Sequence, residues 1–393
     1  MVENIRNFSF SKIPQIIFGT GTITGLGKLA INYGKRALLV TGTSSYNSTF
    51  IKERVEKSLD SNNLEYLSYP ISGEPSPTII DQATSMFRKE KIDVVIAIGG
   101  GSVMDAGKAI AAMLITEGSV FDYLEGVGTK IPPGLRLSLI AVPTTSGTGS
   151  EATKNAVISR FGENGFKRSF RHDNYIPDYA LIDPELMLSC PQNTTAASGM
   201  DAFTQLLESY ISTEANPLND ALAFSGLEHI ARSIKRVFEN GNDIDARTDM
   251  AYAALISGIT LSNGGLGVIH GYAQPLGSLF PIPHGIVCGS LMGTVNQLTV
   301  LKLRKESPKS VYLDKYAKIG KLFSKDTGRS DDYYIDHIIE TIHSYVEEFK
   351  FPKLTVYGVN ETSLNDIISR TGIKNHPVNF TSEELKDIIR ARL

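Results

Sequence analysis

Two histidines and one aspartate are the residues of this sequence best suited to holding a divalent cation. His270 and His284 lie in the run GLGVIHGYAQPLGSLFPIPHG (265–285), which holds no other charged group. Burying an imidazole without a partner costs on the order of 1–3 kcal/mol. With Asp201 they form a two-histidine, one-carboxylate set that suits a divalent metal with open positions. The alternative for each histidine is a core residue satisfied by a backbone carbonyl, and the sequence alone does not show that the three converge.

The segment that carries Asp201, GMDAFTQLLESY (199–210), has helical spacing. Its apolar side chains form one stripe: Phe203, Leu206, Leu207, Tyr210 and the next residue, Ile211. Asp201 and Gln205 are four residues apart and share the opposite, polar face. A polar helix face is usually solvated, so Asp201 alone would be read as a surface residue, and the two histidines favour a site instead. The remaining histidines lack such a context and are expected at the surface: His172, His229, His337, His343 and His376.

A glycine-rich turn earlier in the chain is suited to a phosphate. GGGSVMDAGKAIA (99–111) ends an apolar run with three glycines and then begins a helix. Glycines let a backbone approach a ligand closely, and the first N–H groups of a helix attract an anion. A pyrophosphate is the natural ligand. Because the spacing is not that of the GxGxxG fingerprint, a turn without a ligand is the alternative.

A second polar loop, PTTSGTGSEAT (143–153), follows the next apolar run. It offers the hydroxyls of Thr144, Thr145 and Thr148 beside Gly147 and Gly149. Two such loops at the carboxyl ends of neighbouring strands mark a ligand crevice in open α/β sheets. Together the loops predict nucleotide binding.

The elements that must position these loops are strand-like. ALLVTG (37–42), DVVIAIGGG (93–101) and LSLIAVPTTSGTGS (137–150) begin as continuous apolar runs, which are typical of parallel strands buried on both faces. Between the first two, TFIKERVEKSL (49–59) has the pattern of an amphipathic helix. The alternation predicts a doubly wound α/β sheet.

The character of the chain changes after DYALIDPELM (178–187), where strand-like runs fade and long helical segments continue to Leu393. We therefore predict an α/β dinucleotide-binding domain over 1–187 and an all-α domain for metal and substrate over 188–393.

These residues resemble the iron-containing alcohol dehydrogenase family over nearly the whole chain. The resemblance depends on the order and spacing of five motifs: GGGSVMDAGK, PTTSGTGSE, IPDYALIDPEL, GMDAFTQLLESY and HGYAQPLGSLFPIPHG. It implies an N-terminal dinucleotide-binding domain and a C-terminal helical domain, a fold that dehydroquinate synthase shares. The site is implied to lie in the cleft between the domains, with the face carrying Asp201 pointing into it.

The resemblance also implies a set of metal ligands. In that family an aspartate, a histidine four residues on and two later histidines typically hold the metal. Asp201, His270 and His284 match three of these positions, whereas Gln205 stands at the second and Gln274 where a further histidine is usual. An amide oxygen is a weaker ligand than an imidazole and cannot carry a proton near neutral pH. We expect Fe²⁺ or Zn²⁺ on Asp201, Gln205, His270 and His284, bound more weakly or with altered metal identity.

NAD or NADP is the implied cofactor. The contacts implied are Gly100, Gly101 and Ser102 on the pyrophosphate, Asp105 nearer the nicotinamide, Thr144, Thr145 and Thr148 on the adenine and ribose side, and Lys167 on a ribose. An acidic residue often ends the first strand and binds the ribose 2′-hydroxyl, but Gly42 stands there. With no carboxylate to repel a 2′-phosphate, NADPH is expected to be accepted at least as well as NADH.

The implied reaction is reversible hydride transfer between a nicotinamide and a small alcohol, aldehyde or ketone, with a metal polarising the carbonyl. Asp105, His270 and His284 are the predicted catalytic residues, and without a metal the two histidines are the best proton donors. Three alternatives remain. They are a metal-independent keto-acid reductase similar to maleylacetate reductases, a lyase similar to dehydroquinate synthase, and a nucleotide-binding sensor without turnover. The lyase is disfavoured because its polyanionic substrate needs basic residues, and few lie near His270 or His284.

Bulk properties narrow the partners and the location. Lys and Arg number 39 against 42 Asp and Glu, a net charge of −3, so neither nucleic acid nor an anionic membrane is an expected partner. Cys190 and Cys288 form no CxxC-type pair, and the N-terminal segment lacks a signal-peptide pattern, which favours the cytoplasm. The family resemblance suggests a homodimer formed through the N-terminal strands.

Overall fold

In the computed structural model, the three apolar runs form the centre of a parallel six-stranded sheet, whose strands in order across the sheet are Gln15–Phe18, Tyr179–Ile182, Ser138–Pro143, Val94–Gly99, Arg36–Gly42 and Glu65–Ile71. The structure describes residues 7–162 and 165–393. Residues 1–6 begin the segment in which we expect no signal peptide, and they lie outside the described residues. The strands are β1 (Gln15–Phe18), β2 (Arg36–Gly42), β3 (Glu65–Ile71), β4 (Val94–Gly99), β5 (Ser138–Pro143), β6 (Asn155–Arg160), β7 (Phe166–Arg171) and β8 (Tyr179–Ile182). The predicted doubly wound sheet is confirmed.

Helices cover both faces of this sheet and make up nearly all of the chain after it. The helices are α1 (Leu26–Ala30), α2 (Thr49–Asp60), α3 (Pro77–Phe87), α4 (Gly101–Met113), α5 (Gln192–Tyr210), α6 (Pro217–Glu239), α7 (Ile244–Gly264), α8 (Val268–Leu279), α9 (His284–Glu306), α10 (Val311–Phe323), α11 (Asp331–Glu348), α12 (Leu364–Arg370) and α13 (Ser382–Arg390). The last strand ends at Ile182 and the first long helix of the second half begins at Gln192, so the change from sheet to helix falls between them.

The strand register brings the predicted loops to one edge of the sheet. Ile98 pairs with Thr41 on one side, and Gly99 pairs with Pro143 on the other. The N–H of Thr144 then donates to the carbonyl of Gly99 at 2.9 Å, one residue beyond the strand. Parallel strands end at the same edge, so the segments after β2, β4 and β5 lie side by side.

A short hairpin, β6 with β7, was not expected from the sequence. The basic residues Lys167, Arg168 and Arg171 all lie on β7. Phe166 and Phe170 on the same strand are buried, which leaves Lys167 and Arg171 on the other face, whereas Arg168 shares the face of the two phenylalanines. The charged residues at positions 167, 168 and 171 interrupt the alternation that would have indicated a strand.

The helical half is built around helices that are buried on almost every side. On α5, the polar residues Asp201, Gln205 and Glu208 are all buried, so this face is not solvated. By length and composition α9 is the one helix among the described residues that could cross a membrane, and α7 with α8 would qualify only as a pair bent by 102°. Since 67% of the most apolar window of α9 is buried inside the protein, α9 is the core helix of this half.

The loop after β5 is the close contact between the sheet and the helical half. A Cβ on Gly147 would lie 2.7 Å from the Cβ of Ser198 on α5. Gly149 has φ +58°, and a Cβ there would lie 2.4 Å from both the Ala254 carbonyl oxygen and the Gly258 nitrogen of α7. These glycines therefore serve helix packing, whereas the sequence suggested that they serve a nucleotide.

We expect Gly149→Ala to lower the free energy of unfolding by about 2–4 kcal/mol, because overpacking adds to the cost of a left-handed backbone. Denaturant titration measures this loss. Gly73→Ala is the matched control, since Gly73 has φ +73° but no atom within 4 Å of an added Cβ. The control should lose only about 1–2 kcal/mol. Equal losses for the two variants would show that the Gly149 contact has room to relax.

Candidate active site

The structure brings Asp201, His270 and His284 to one point. Asp201 comes from the middle of α5, His270 from the first turn of α8, and His284 is the first residue of α9. The Asp201 Oδ1 atom lies 3.5 Å from the Nε2 of His270 and 3.4 Å from the Nε2 of His284. Three helices thus direct one carboxylate and two imidazoles at a shared space.

A fourth donor, Cys288, lies in the same group. Its Sγ is 3.8 Å from the Nε2 atoms of both His270 and His284. The donor atoms of the four residues all lie within 4.8 Å of one another, so the group could hold a metal ion. From the sequence, Cys288 was considered only when a CxxC-type pair was excluded, and it was missed as a ligand. The available signal was its spacing of four residues from His284, which puts both side chains on one helix face.

The electrostatics of this group favour positive charge between the donors. Burial by itself would lower the pKa of both imidazoles, but Cys288 and Asp201 raise it, to about 10 for His284 and well above the usual value for His270. Burial would raise the pKa of Asp201, yet the two imidazoles hold it far below its ordinary value. A buried carboxylate is therefore ionised here and needs a cation, which protons on the imidazoles or a metal ion can provide.

Glu208, one turn after Gln205 on α5, orients His270. Its Oε2 lies 2.6 Å from His270 Nδ1, and its Oε1 accepts the N–H of Ile269 at 2.7 Å. A carboxylate at Nδ1 holds the proton there and leaves the Nε2 lone pair facing Asp201 and Cys288. Burial opposes ionisation of Glu208, but its contact with His270 keeps the pKa low. The sequence analysis did not single out Glu208.

His376 corrects the expectation for the other histidines. It was predicted at the surface, but it is buried, and its Nε2 lies 2.9 Å from the hydroxyl of Thr299 on α9. Burial lowers its pKa to about 4, and only the nearby Glu208 opposes this. A neutral imidazole therefore lies near the Glu208 carboxylate.

Gln205, predicted as a metal ligand, makes a contact of its own. Its Oε1 accepts a hydrogen bond from the hydroxyl of Ser257 on α7 at 2.6 Å, and its side chain is buried. Ser257 also donates toward the carbonyl of Ala254 at 2.8 Å. The role of Gln205 as a ligand stays a prediction.

The predicted pyrophosphate cradle lies at the start of α4, at the same sheet edge. Gly100 is the N-cap residue, and no side chain caps the helix, which leaves its first N–H groups available to an anion. A Cβ on Gly101 would lie 2.6 Å from the Thr148 Cγ2 atom, and one on Gly100 would touch the Thr145 side chain at 3.4 Å. The two loops therefore adjoin as predicted, and their geometry fits a dinucleotide phosphate.

Two other predicted cofactor contacts lie beside these loops. Ser102 follows in the first turn of α4, and the Thr144 hydroxyl is buried without a hydrogen-bond partner.

Asp105 is held within the protein. Its Oδ1 accepts from the Ser150 hydroxyl at 2.6 Å, and its Oδ2 accepts from the Val157 N–H at 3.0 Å. The buried ammonium of Lys108 lies 3.2 Å from Oδ1. These contacts connect α4 to the loop after β5 and to β6. Its predicted place near the nicotinamide stays a prediction.

Lys167 lies between the two halves. Its Nζ is 2.6 Å from Oε1 of Glu74, whose other oxygen accepts from the Ser159 hydroxyl at 2.7 Å. Its Cδ lies 3.3 Å from the place of a Cβ on Gly277 of α8. Burial would raise the pKa of Glu74, but Lys167 and, more weakly, His284 lower it. Lys167 therefore borders the site, and its predicted contact with a ribose stays a prediction.

Comparison with known proteins accounts for both halves of the chain. The family model described as "Iron-containing alcohol dehydrogenase" matches residues 14–184, and its C-terminal counterpart matches residues 195–393. The choline dehydrogenase of Bacillus subtilis (strain 168) is 33% identical over 91% of this chain and 88% of its own. The NAD-dependent methanol dehydrogenase of Bacillus methanolicus is 28% identical over 97% of this chain and 98% of its own. A 1,3-propanediol oxidoreductase of known crystal structure has a TM-score of 0.87 and 29% identity, covering 99% of this chain and 100% of that one.

A dinucleotide cradle, a buried aspartate facing two imidazoles, and two family matches that together span most of the sequence agree with one another. The chain belongs to the iron-containing alcohol dehydrogenase family and is an NAD(P)-dependent oxidoreductase that acts on CH–OH groups.

Proposed function

We propose that this enzyme interconverts a small alcohol and its aldehyde or ketone at a divalent cation held by Asp201, His270 and His284. The observation that carries the proposal is the buried Asp201 Oδ1, which faces two Nε2 atoms at 3.4 and 3.5 Å and has no hydrogen-bond partner. A buried, unpartnered carboxylate oxygen is costly unless a cation lies beside it. The donor set of one carboxylate and two imidazoles suits Fe²⁺ or Zn²⁺.

The bound groups would supply Lewis acidity toward the substrate oxygen and a nicotinamide that exchanges hydride. The residues of the chain place and tune these groups. Asp201 supplies negative charge, and His270 and His284 supply Nε2 lone pairs from two different helices. Glu208 holds the proton of His270 at Nδ1 and so keeps the ring in one orientation. Gln205 stands where the family resemblance implies histidine, which removes one imidazole from the set.

Purification without chelators, followed by metal analysis and a screen of alcohols, aldehydes and keto acids, tests the proposal. We expect metal in near-stoichiometric amount and turnover followed by nicotinamide absorbance. EDTA treatment should abolish turnover, and added metal should restore it. Full activity in metal-free protein would instead support the metal-independent keto-acid reductase, with His270 and His284 as proton donors.

We expect NADPH to be used at least as well as NADH, because no carboxylate ends β2. Gly42→Asp should shift the kcat/KM ratio toward NADH by about tenfold or more, since like charges brought together cost several kcal/mol. A Cβ at this position would lie 2.7 Å from the Ser45 hydroxyl, which can rotate away, and 3.5 Å from Val103 Cγ2, which is an ordinary contact. Gly42→Asn, of the same size without the charge, is the control. A wild-type enzyme with a strong NADH preference would contradict the expectation.

We also propose a homodimer formed through β1. This strand is at the edge of the sheet with β8 as its one neighbour, and the nearby Phe8 and Ile13 are exposed, at 46% and 40% of their surface. An exposed strand edge beside apolar side chains favours pairing with a second copy. Light scattering after size exclusion should give twice the chain mass, and a monomer mass at micromolar concentration would contradict the proposal.

The cytoplasm is the location that we propose. Cys190 and Cys288 are both free thiols in the structure, which suits a reducing compartment. Fractionation of the source cells with an antibody to the protein tests this, and recovery outside the cytoplasm would overturn it.

A further inference from the structure

We propose that Cys288 is the fourth metal ligand of this enzyme, and that its thiolate makes the site prefer Zn²⁺ to Fe²⁺. The inference rests on the proposed function, because it concerns the same cation. It differs from the ligand set that the sequence predicts, in which Gln205 is the fourth donor.

Four of the six spacings between the donor atoms match the edges of a tetrahedral zinc site. Zinc bonds of about 2.0–2.1 Å to nitrogen or oxygen and about 2.3 Å to sulfur give tetrahedral edges of about 3.3 Å between nitrogen and oxygen and about 3.6 Å between nitrogen and sulfur. Here the edges from Asp201 Oδ1 to the two Nε2 atoms are 3.5 and 3.4 Å. The edges from Cys288 Sγ to the same two atoms are both 3.8 Å. These four edges match the size of one ion within a few tenths of an ångström, and the other two lie within 4.8 Å.

Direct hydrogen bonding does not account for this arrangement. The distances from Asp201 Oδ1 to the imidazoles exceed the 2.7–3.2 Å of ordinary N–H···O bonds, and this oxygen is buried without a partner. Asp201 is 2% exposed and Cys288 is fully buried. A cation between the four donors would satisfy the carboxylate and the sulfur together.

Rigid elements hold Cys288 in place. His284 and Cys288 are one turn apart on α9, which is the core helix of its half, so they present two donors on one face. Gln205 is committed elsewhere, because its Oε1 accepts from Ser257 on α7 at 2.6 Å. Binding of a metal by Gln205 Oε1 would require this buried hydrogen bond to break, whereas the bond is kept if Gln205 is not a ligand.

The proposed ligand set has a chemical consequence. Two anionic donors, Asp201 and Cys288, balance the charge of a divalent ion, and a soft thiolate selects zinc or cobalt over harder ions. Zinc also accepts a fifth ligand, so four protein donors still leave room for a substrate.

Cobalt substitution distinguishes the ligand sets by a signal that is independent of activity. Metal-free enzyme loaded with Co²⁺ should show a thiolate-to-cobalt charge-transfer band in the near ultraviolet. Cys288→Ser should lose this band. It should also lower Zn²⁺ affinity by about 100-fold, because the loss of a ligand should cost at least as much as the most costly loss of a residue that supports a ligand. Cys190→Ser, the matched control, should keep both the band and the affinity.

A second variant tests the alternative ligand. Gln205→Met keeps the size of the side chain, and the Ser257 hydroxyl retains the Ala254 carbonyl at 2.8 Å, so we expect Zn²⁺ affinity to change less than threefold. Cobalt binding without a charge-transfer band, or a large affinity loss in Gln205→Met with none in Cys288→Ser, would overturn the inference and leave the proposed function standing. Wild-type enzyme that binds neither Co²⁺ nor Zn²⁺ would overturn both.

Discussion

Asp201→Asn is expected to lower kcat/KM for alcohol oxidation by about a thousandfold or more. The change keeps the shape of the side chain but removes its negative charge, which balances positive charge at the centre of the site. Lewis-acid stabilisation amounts to several kcal/mol, and each 1.36 kcal/mol is about tenfold in rate. Initial rates and metal content of the same preparation measure the effect, and we expect rate and metal to fall together.

Asp178→Asn is the matched control for this variant. Asp178 is a half-buried carboxylate that binds Arg136 at 2.7 Å beside the opposite end of β8, away from the carboxyl edge of the sheet. Its loss should lower the melting temperature but leave kcat/KM within about threefold, since it breaks an ion pair without reaching the site. Binding of NAD(P)H, followed by fluorescence, should be kept by both variants. Asp201→Asn that retains metal and activity would contradict the assignment of Asp201.

Glu208→Gln should weaken metal binding by about 10–100-fold, the usual cost of losing a residue that supports a ligand. Glu208 accepts two hydrogen bonds, from Ile269 N–H and from His270 Nδ1–H. An amide can accept only one of them through its oxygen, and its N–H₂ group must face the other donor. The ring of His270 then either loses its partner or moves its proton to Nε2, where the metal should bind.

Metal affinity separates this positioning role from a purely structural one. Titration of metal-free enzyme gives the affinity, and thermal unfolding gives the stability of the same variant. A drop in melting temperature with unchanged metal affinity would mean that Glu208 supports packing alone. We expect metal affinity to fall more than the melting temperature does. The kcat should recover partly at saturating metal, because a misplaced ligand weakens metal binding without abolishing it.

Fold prediction succeeded where burial on two faces simplified the pattern. β2, β4 and β5 are continuous apolar runs because helices cover both sides of a parallel sheet, and α2 was placed within one residue of its end. β3 and β7 were not predicted, because their sequences mix polar and apolar positions. β3 (EYLSYPI) lies at the sheet edge, and β7 (FKRSFR) lies in the hairpin. Such strands receive their pairing from neighbours that are distant in the chain.

The residue types of this chain and their spacing by themselves determined the candidates Asp201, His270 and His284 and the glycine-rich start of α4. These are local properties, set by which atoms a residue carries and by the period of the element that carries it. Only the tertiary structure decided that Cys288 joins the group and that Gln205 bonds Ser257. The direction of a buried polar side chain depends on which partner packs opposite it, and here that partner lies on a helix about fifty residues further along the chain.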